Sequence, residues 1–219
     1  MSAERVWEET TLGQLYESGR KKLEESGVPD AALDARLLLL EAFDLNFASF
    51  LTRRDQPLFK QAIGGEEEIY RLKQAAEQYE QAVLARAERI PLQHLTGCQC
   101  FMGLEFKVNE WVLIPRQDTE TLVERVLEEN RDKNSAILDV CTGSGCIAIS
   151  LVKLGEYRSV TALDISKEAL KVAEANRERI LGEEKERLRL IKSDMFEGLE
   201  PKAQFDAIVS NPPISPQRS

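Results

Sequence analysis

With 219 residues, 42% of them hydrophobic and 31% charged, the chain has the length of one large or two modest domains and an ordinary globular composition. Its net charge of −9, with no Lys/Arg cluster standing clear of acids, argues against direct binding of free DNA. It leaves a basic protein or a ribonucleoprotein compatible, and an acidic surface that only keeps the chain soluble would account for the charge as well. No apolar run reaches the ~18 residues of a membrane span and the acidic N-terminus is no signal peptide, so a cytoplasmic location is expected.

Residues 1–90 read as a small all-α domain. Thr11 with Gln14 forms a capping box ahead of a helix carrying Leu12, Leu15, Gly19 and Leu23 on one face, and Gly27 followed by Pro29 ends it. A second helix starts at Asp30 and is expected to turn Leu33, Leu37 and Leu40 inward. Phe47, Phe50 and Leu51 suggest a short third piece. After the Gly64-Gly65 break, Glu66 to Arg89 forms a long helix with Ile69, Leu72, Ala76, Tyr79, Val83 and Ala87 along its apolar side. The domain shows no catalytic constellation; its role is structural or the docking of a substrate.

Residues 91–116 read as a connector. Pro91 to Gly97 breaks the helix, and Cys98 to Phe101 and Leu104 to Val108 alternate as a hairpin around Met102-Gly103. His94, the only histidine, is read as making a structural hydrogen bond rather than as a catalytic base. The four cysteines, Cys98, Cys100, Cys141 and Cys146, match neither a disulfide scaffold nor a zinc site, so reduced thiols and no metal are expected. In Pro115-Arg116-Gln117-Asp118-Thr119-Glu120, Asp118 or Thr119 is expected to cap a helix carrying Leu122, Val123, Val126 and Leu127.

Residues 117–219 are organised around Ala136 to Ile149. A short apolar strand ends near Asp139, turns through Cys141-Thr142-Gly143-Ser144-Gly145, and re-emerges as a helix near Cys146. That is the nucleotide-cradling end of a doubly wound α/β sheet, where ligands sit outside the carboxyl ends of the strands. Nineteen residues beyond Gly145, Asp164 closes the next strand, Val160 to Leu163, at the place of a ribose-hydroxyl acceptor. Turn and acid together point to a nucleoside-bearing cofactor. Ser166 caps a helix over 167–181, and Arg187 to Ile191 is a third strand. Beyond it, Asp194 is placed to accept from an adenine amino group and Met195 to pack on the ring, although a turn residue and a core residue would read the same way. Phe205 to Val209 delivers Asn211-Pro212-Pro213. There the Asn211 side-chain oxygen and the Pro212 carbonyl are suited to accept the two N–H groups of a planar amino group. That would aim the nitrogen lone pair at an electrophilic carbon.

On these motifs the chain resembles the release-factor glutamine methyltransferases (the PrmC or HemK family). The likeness runs through the helical domain, Pro91 to Gly97, Leu113 to Glu120, the Gly turn and Asn211-Pro212-Pro213. It implies a Rossmann-like S-adenosylmethionine-dependent methyltransferase domain behind a helical docking domain, with S-adenosyl-L-homocysteine as cofactor product. The implied target is the glutamine of the Gly-Gly-Gln loop in class 1 peptide-chain release factors. By matching motifs, Cys141, Thr142, Gly143, Ser144 and Gly145 would line the methionine part of the cofactor, Asp164 would hold the ribose, and Asp194 and Met195 would meet the adenine. Asn211, beside the cofactor, would hold the target amide with Pro212 and Pro213.

Three departures from the family pattern stand out. Cys141 replaces a glycine, which is tolerable if its φ is negative. Met195 replaces an aromatic. Ile214 replaces the tyrosine of Asn-Pro-Pro-Tyr, and Ser219 comes soon after, so a C-terminally truncated sheet is expected, with Ile208 and Val209 lacking a neighbouring strand and with weakened cofactor binding and turnover. Two further readings stay open: a nucleic-acid adenine N6-methyltransferase, disfavoured by the charge, and a non-catalytic partner-binding fragment. A nicotinamide dehydrogenase fits poorly, because the turn lacks the third glycine at the expected spacing.

Overall fold

The computed structural model describes residues 9–62 and 64–212; Pro213 and Ile214 lie outside the described residues. The chain divides into two compact units, Met1–Thr96 and Gly97–Ser219.

In the first unit, α1 (Leu12–Glu25) opens on the expected box: the Gln14 N–H donates to Thr11 Oγ1 at 3.1 Å, and the Thr11 N–H to Gln14 Oε1 at 2.9 Å. Leu12, Leu15, Gly19 and Leu23 are buried as the spacing predicts. Gly19 is required by close packing, because a β-carbon there would lie 1.9 Å from the Tyr79 hydroxyl. Helices α2 (Ala31–Ala42), α3 (Phe47–Arg53), α4 (Glu66–Ala87) and α5 (Leu92–Thr96) follow. Along α4, Ala76, Tyr79 and Val83 are buried, with Ile69, Leu72 and Ala87 half-buried, so the predicted stripe holds.

The α2 face differs from expectation. Leu33 and Leu37 are exposed, and Ala31, Asp34, Ala35, Leu38 and Leu39 face the core. The run Leu37 to Leu40 is apolar on every side, so periodicity alone cannot orient it. The Asp34–Arg86 ion pair to α4, at 2.7 Å with Asp34 only 6% exposed, fits the observed face. Phe50 is buried in α3, whereas Phe47 and Leu51 are exposed.

In the second unit, β1 (Cys98–Phe101) and β2 (Leu104–Lys107) form the expected antiparallel hairpin. Met102 and Gly103 both have positive φ, +52° and +72°, the two-residue turn whose twist matches the strands. The hairpin belongs to this compact unit. Beyond α6 (Gln117–Glu129) come β3 (Ala136–Val140), α7 (Cys146–Gly155), β4 (Ser159–Asp164), α8 (Lys167–Leu181), β5 (Leu188–Lys192) and β6 (Ala207–Ser210).

The last four strands form a parallel sheet of order β5-β4-β3-β6. Alternation splits the sheet residues between two faces. Ile137, Val160, Ala162, Leu188 and Val209 pack with α6, α7 and α8. Leu138, Val140 and Leu163 face the other way, beside Ile191, Leu199 and Phe205. Helix α7 is buried from Cys146 to Val152, which explains why that stretch, Ser150 apart, is apolar all round.

Strand β6 pairs with β3 and, among the described residues, with no other strand. Of the two residues expected to suffer there, Ile208 is 58% exposed but Val209 only 5%. Val209 points to the helix-covered face, so packing shields it where pairing does not. The chain order runs outward from β3 to β5 and then returns to β3's other side. That reversal opens the crevice at the carboxyl ends of β3 and β6.

Candidate active site

At the end of β3 the backbone makes the tight turn that the glycines predict. Gly143 and Gly145 have φ of +56° and +80°. A β-carbon on Gly145 would meet Ile149 Cδ1 at 3.0 Å and Ala173 Cβ at 3.2 Å, so this glycine lets α7 approach α8. A β-carbon on Gly143 would meet nothing within 4 Å and would only fill the open space over the turn.

The turn is pinned from several sides. The Thr142 hydroxyl donates to Asp139 Oδ2 at 2.6 Å, and the Gly143 N–H donates to Asp164 Oδ2 at 2.8 Å. Asp164 Oδ1 accepts the Ser166 N–H at 2.9 Å. Asp164 therefore braces the turn directly. Each of its oxygens keeps a second lone pair for a ligand hydroxyl.

Cys141 departs from expectation. Its φ is +62°, in the left-handed region, not negative. The position keeps the geometry that glycine would supply, and the β-carbon makes it strained. Cys141→Gly is therefore expected to stabilise this unit by roughly 0.5–1 kcal/mol, the strain relief exceeding the added chain entropy. Urea unfolding would show it as a higher midpoint at unchanged slope; a lower midpoint would refute it. Burial, then Asp164 and Asp139, raises the Cys141 thiol pKa, and burial with Asp139 pushes Cys146 up to about 12. Neither thiol is activated.

At the end of β6, the Ser210 hydroxyl donates to the Val140 carbonyl at 2.7 Å, tying the two strand ends together. Asn211 follows, half-buried, and its Nδ2 donates to Thr119 Oγ1 at 2.8 Å. Thr119 and Asp118 do not cap α6 as expected. The cap position is Arg116, without a side-chain bond, and Asp118 and Thr119 lie inside the first turn. Glu120, next along, accepts the Met102 N–H of the hairpin turn at 2.6 Å. One turn of helix thus anchors both the hairpin and Asn211.

Cys141, Thr142, Gly143, Ser144 and Asn211 line one concavity together with Leu113 to Arg116 and Thr119. Asp164 reaches it through Gly143. Asp194 and Met195 lie outside it, both exposed, Met195 with φ of +46°. Their loop is held near Asp164 by the Ser193 N–H on the Asp164 carbonyl at 3.0 Å and by the Ser193 hydroxyl on the Met195 carbonyl at 2.7 Å. Pro212 is exposed. His94, in the first unit, has its Nε2 enclosed with no hydrogen-bond partner among the described residues, so the expected structural bond is not present there.

Sequence reasoning missed Thr119, Asn176 and the burial of Asp139. Asn176, fully buried on α8, donates to the Lys107 and Ser144 carbonyls, both at 2.9 Å, and accepts the Lys107 N–H at 2.7 Å. Only its place in a buried helical stretch hints at this. Asp139 is wholly buried, and among the described residues neither its Oδ1 nor the buried Ser144 hydroxyl has a hydrogen-bond partner of good geometry. Burial first, against the Thr142 and Ala148 hydrogen bonds and with Asp164 adding repulsion, raises Asp139 to about 7. Open space above Gly143 and two orphaned polar atoms under the turn fit a bound polar cofactor.

Residues 117–219 match the family model of the Methyltransferase small domain. With the parallel sheet and its Gly turn, this sets the class: a Rossmann-like, S-adenosylmethionine-dependent methyltransferase. Residues 14–97 match the PrmC N-terminal domain. The release factor glutamine methyltransferase of Koribacter versatilis is 41% identical over 93% of this chain and 67% of the relative. That of Moorella thermoacetica is 40% identical over 94% and 68%. Among solved structures, the N-terminal domain of human METTL16 in complex with SAH is 18% identical, covering 64% of this chain and 53% of that one, with a TM-score of 0.41. The chain belongs to the release factor glutamine methyltransferase family, and it spans about two thirds of the length of these curated relatives.

Proposed function

We propose that this chain moves a methyl group from S-adenosylmethionine to the side-chain nitrogen of the Gly-Gly-Gln glutamine in class 1 peptide-chain release factors. The observation that carries the reading is that Asn211 and the Cys141 to Ser144 turn line the same concavity. S-adenosylmethionine supplies an electrophilic methyl group on a positively charged sulfur.

The chain's residues position the rest. Cys141 to Gly145 hold the methionine end, Asp164 the ribose, and Asp194 with Met195 the adenine. Asn211 Oδ1 and the Pro212 carbonyl accept the N–H groups of the target amide. A carboxamide nitrogen is a weak nucleophile, so holding it on its acceptors aims its lone pair and stabilises the positive charge that develops. The proton leaves to water. The helical unit docks the release factor, which suits a protein partner for an acidic chain better than DNA does. Among the described residues no helix is long and apolar enough to cross a membrane.

Calorimetric titration of S-adenosylmethionine into the chain tests the site. Micromolar binding is expected, weakened by at least about tenfold in Asp164→Ala, which loses the ribose acceptor and the brace on Gly143. Equal affinity in the two proteins would remove Asp164 from the site. Methylation of an oligonucleotide in place of a release factor would transfer the chemistry to an adenine amino group.

A further inference from the structure

The Asn211 carboxamide has two ends of opposite character. Its oxygen accepts hydrogen bonds and its nitrogen donates them. A target nitrogen brings N–H groups, so Oδ1 has to face it and Nδ2 has to be turned away. The last torsion of asparagine is broad and roughly two-fold, so the side chain by itself selects neither orientation. A partner has to hold it in one plane for the target to meet the right end.

Thr119 is that partner in the structure. It is 8% exposed, sits 92 residues earlier in the chain, and takes the Asn211 Nδ2 hydrogen bond at 2.8 Å. Its backbone N–H is already satisfied by the Arg116 carbonyl at 3.0 Å, and its hydroxyl is not used as a helix cap. We infer that Thr119 is a positioning residue of this site: by accepting the Asn211 N–H it sets the amide oxygen toward the methyl-accepting nitrogen. The inference rests on the methyl-transfer reading above. It also gives the Pro-Arg-Gln-Asp-Thr-Glu stretch a task on the substrate side of the crevice. Because a hydroxyl can also donate, Thr119 fixes the plane of the carboxamide, and the target's N–H groups, which need an acceptor, keep it with Nδ2 on Thr119 and Oδ1 on the target.

The test uses the full chain labelled with nitrogen-15, with the Asn211 side-chain NH2 pair assigned by its absence in Asn211→Asp. In the wild type one proton of the pair is protected from solvent exchange. Thr119→Ser keeps that protection, and the near-isosteric Thr119→Val loses it, exchange rising by about tenfold or more. Fast exchange of both protons in the wild type itself overturns the inference, whether or not the valine variant folds.

A kinetic arm follows on a release factor. Thr119→Val lowers kcat by about tenfold to a hundredfold while S-adenosylmethionine affinity stays within twofold, and Thr119→Ser restores kcat. Unchanged kcat in a folded valine variant sinks the positioning role. A wild type that shows the protected amide but methylates nothing sinks the proposed reaction instead, and leaves the Thr119–Asn211 coupling standing.

Discussion

Replacing Asn176 with leucine is expected to lower the unfolding free energy of the Gly97–Ser219 unit by roughly 3–5 kcal/mol. The two side chains are similar in size, so the change leaves little cavity and isolates the polar contacts. Asn176 is 0% exposed and acts as a strand-like partner for Lys107, bonding both its N–H and its carbonyl, while its second N–H holds the Ser144 carbonyl. Leucine satisfies none of the three, and each buried group left without a partner costs about 1–3 kcal/mol. Because Ser144 lies in the Gly turn, cofactor affinity falls together with stability. Urea unfolding of the variant, paired with the cofactor titration, reads both. A loss below about 1 kcal/mol would mean that water replaces the side chain at these groups.

The second large effect depends on pH. Asp139 is wholly buried and titrates near 7 in the folded chain, against an ordinary value of 3.8. Between those two values the folded state holds a proton that the unfolded state has released. Stability therefore falls as pH rises across that window, is greatest below about 4, and is flat above about 7 as far as this group is concerned. The shift corresponds to about 4 kcal/mol at most, with burial as its first cause. Asp139→Asn keeps an oxygen for the Thr142 hydroxyl and cannot ionise. It should match the wild type near pH 4 and exceed it by about 2–4 kcal/mol at pH 8. Subtracting the two stability curves removes the contribution of every other carboxylate. A difference that does not change with pH would show that Asp139 stays ionised in the fold.

Much of the second unit was legible in the sequence because it rests on local rules. Met102-Gly103 can make a tight hairpin turn, Ser166 can cap a helix, and glycines at 143 and 145 permit positive φ; each is decided by a few neighbouring residues. The spacing from Gly145 to Asp164 encoded a strand-end acid beside the turn, and the Gly143–Asp164 bond realises it. The capping box at Thr11 and the apolar stripe of α4 belong to the same kind of evidence.

What the tertiary structure decided were choices between locally equivalent states. The leucine run in α2 could bury any face, and packing with the other helices chose the one carrying Asp34, whose charge meets Arg86 from 52 residues away. Cys141 could have taken a negative φ, but a turn held by Thr142, Gly143 and Asp164 imposes +62°. Thr119 had the composition of a helix cap and instead serves Asn211 from the far end of the unit. Asp139 read as the acid closing a strand, and only its complete burial raises its titration to about 7. By itself the sequence determined the family, the order of the elements and the residues of the Gly turn, because sterics and periodicity act over a few residues. The orientation of each side chain in the site came from the fold, because hydrogen bonds and burial act through space between residues the chain keeps far apart.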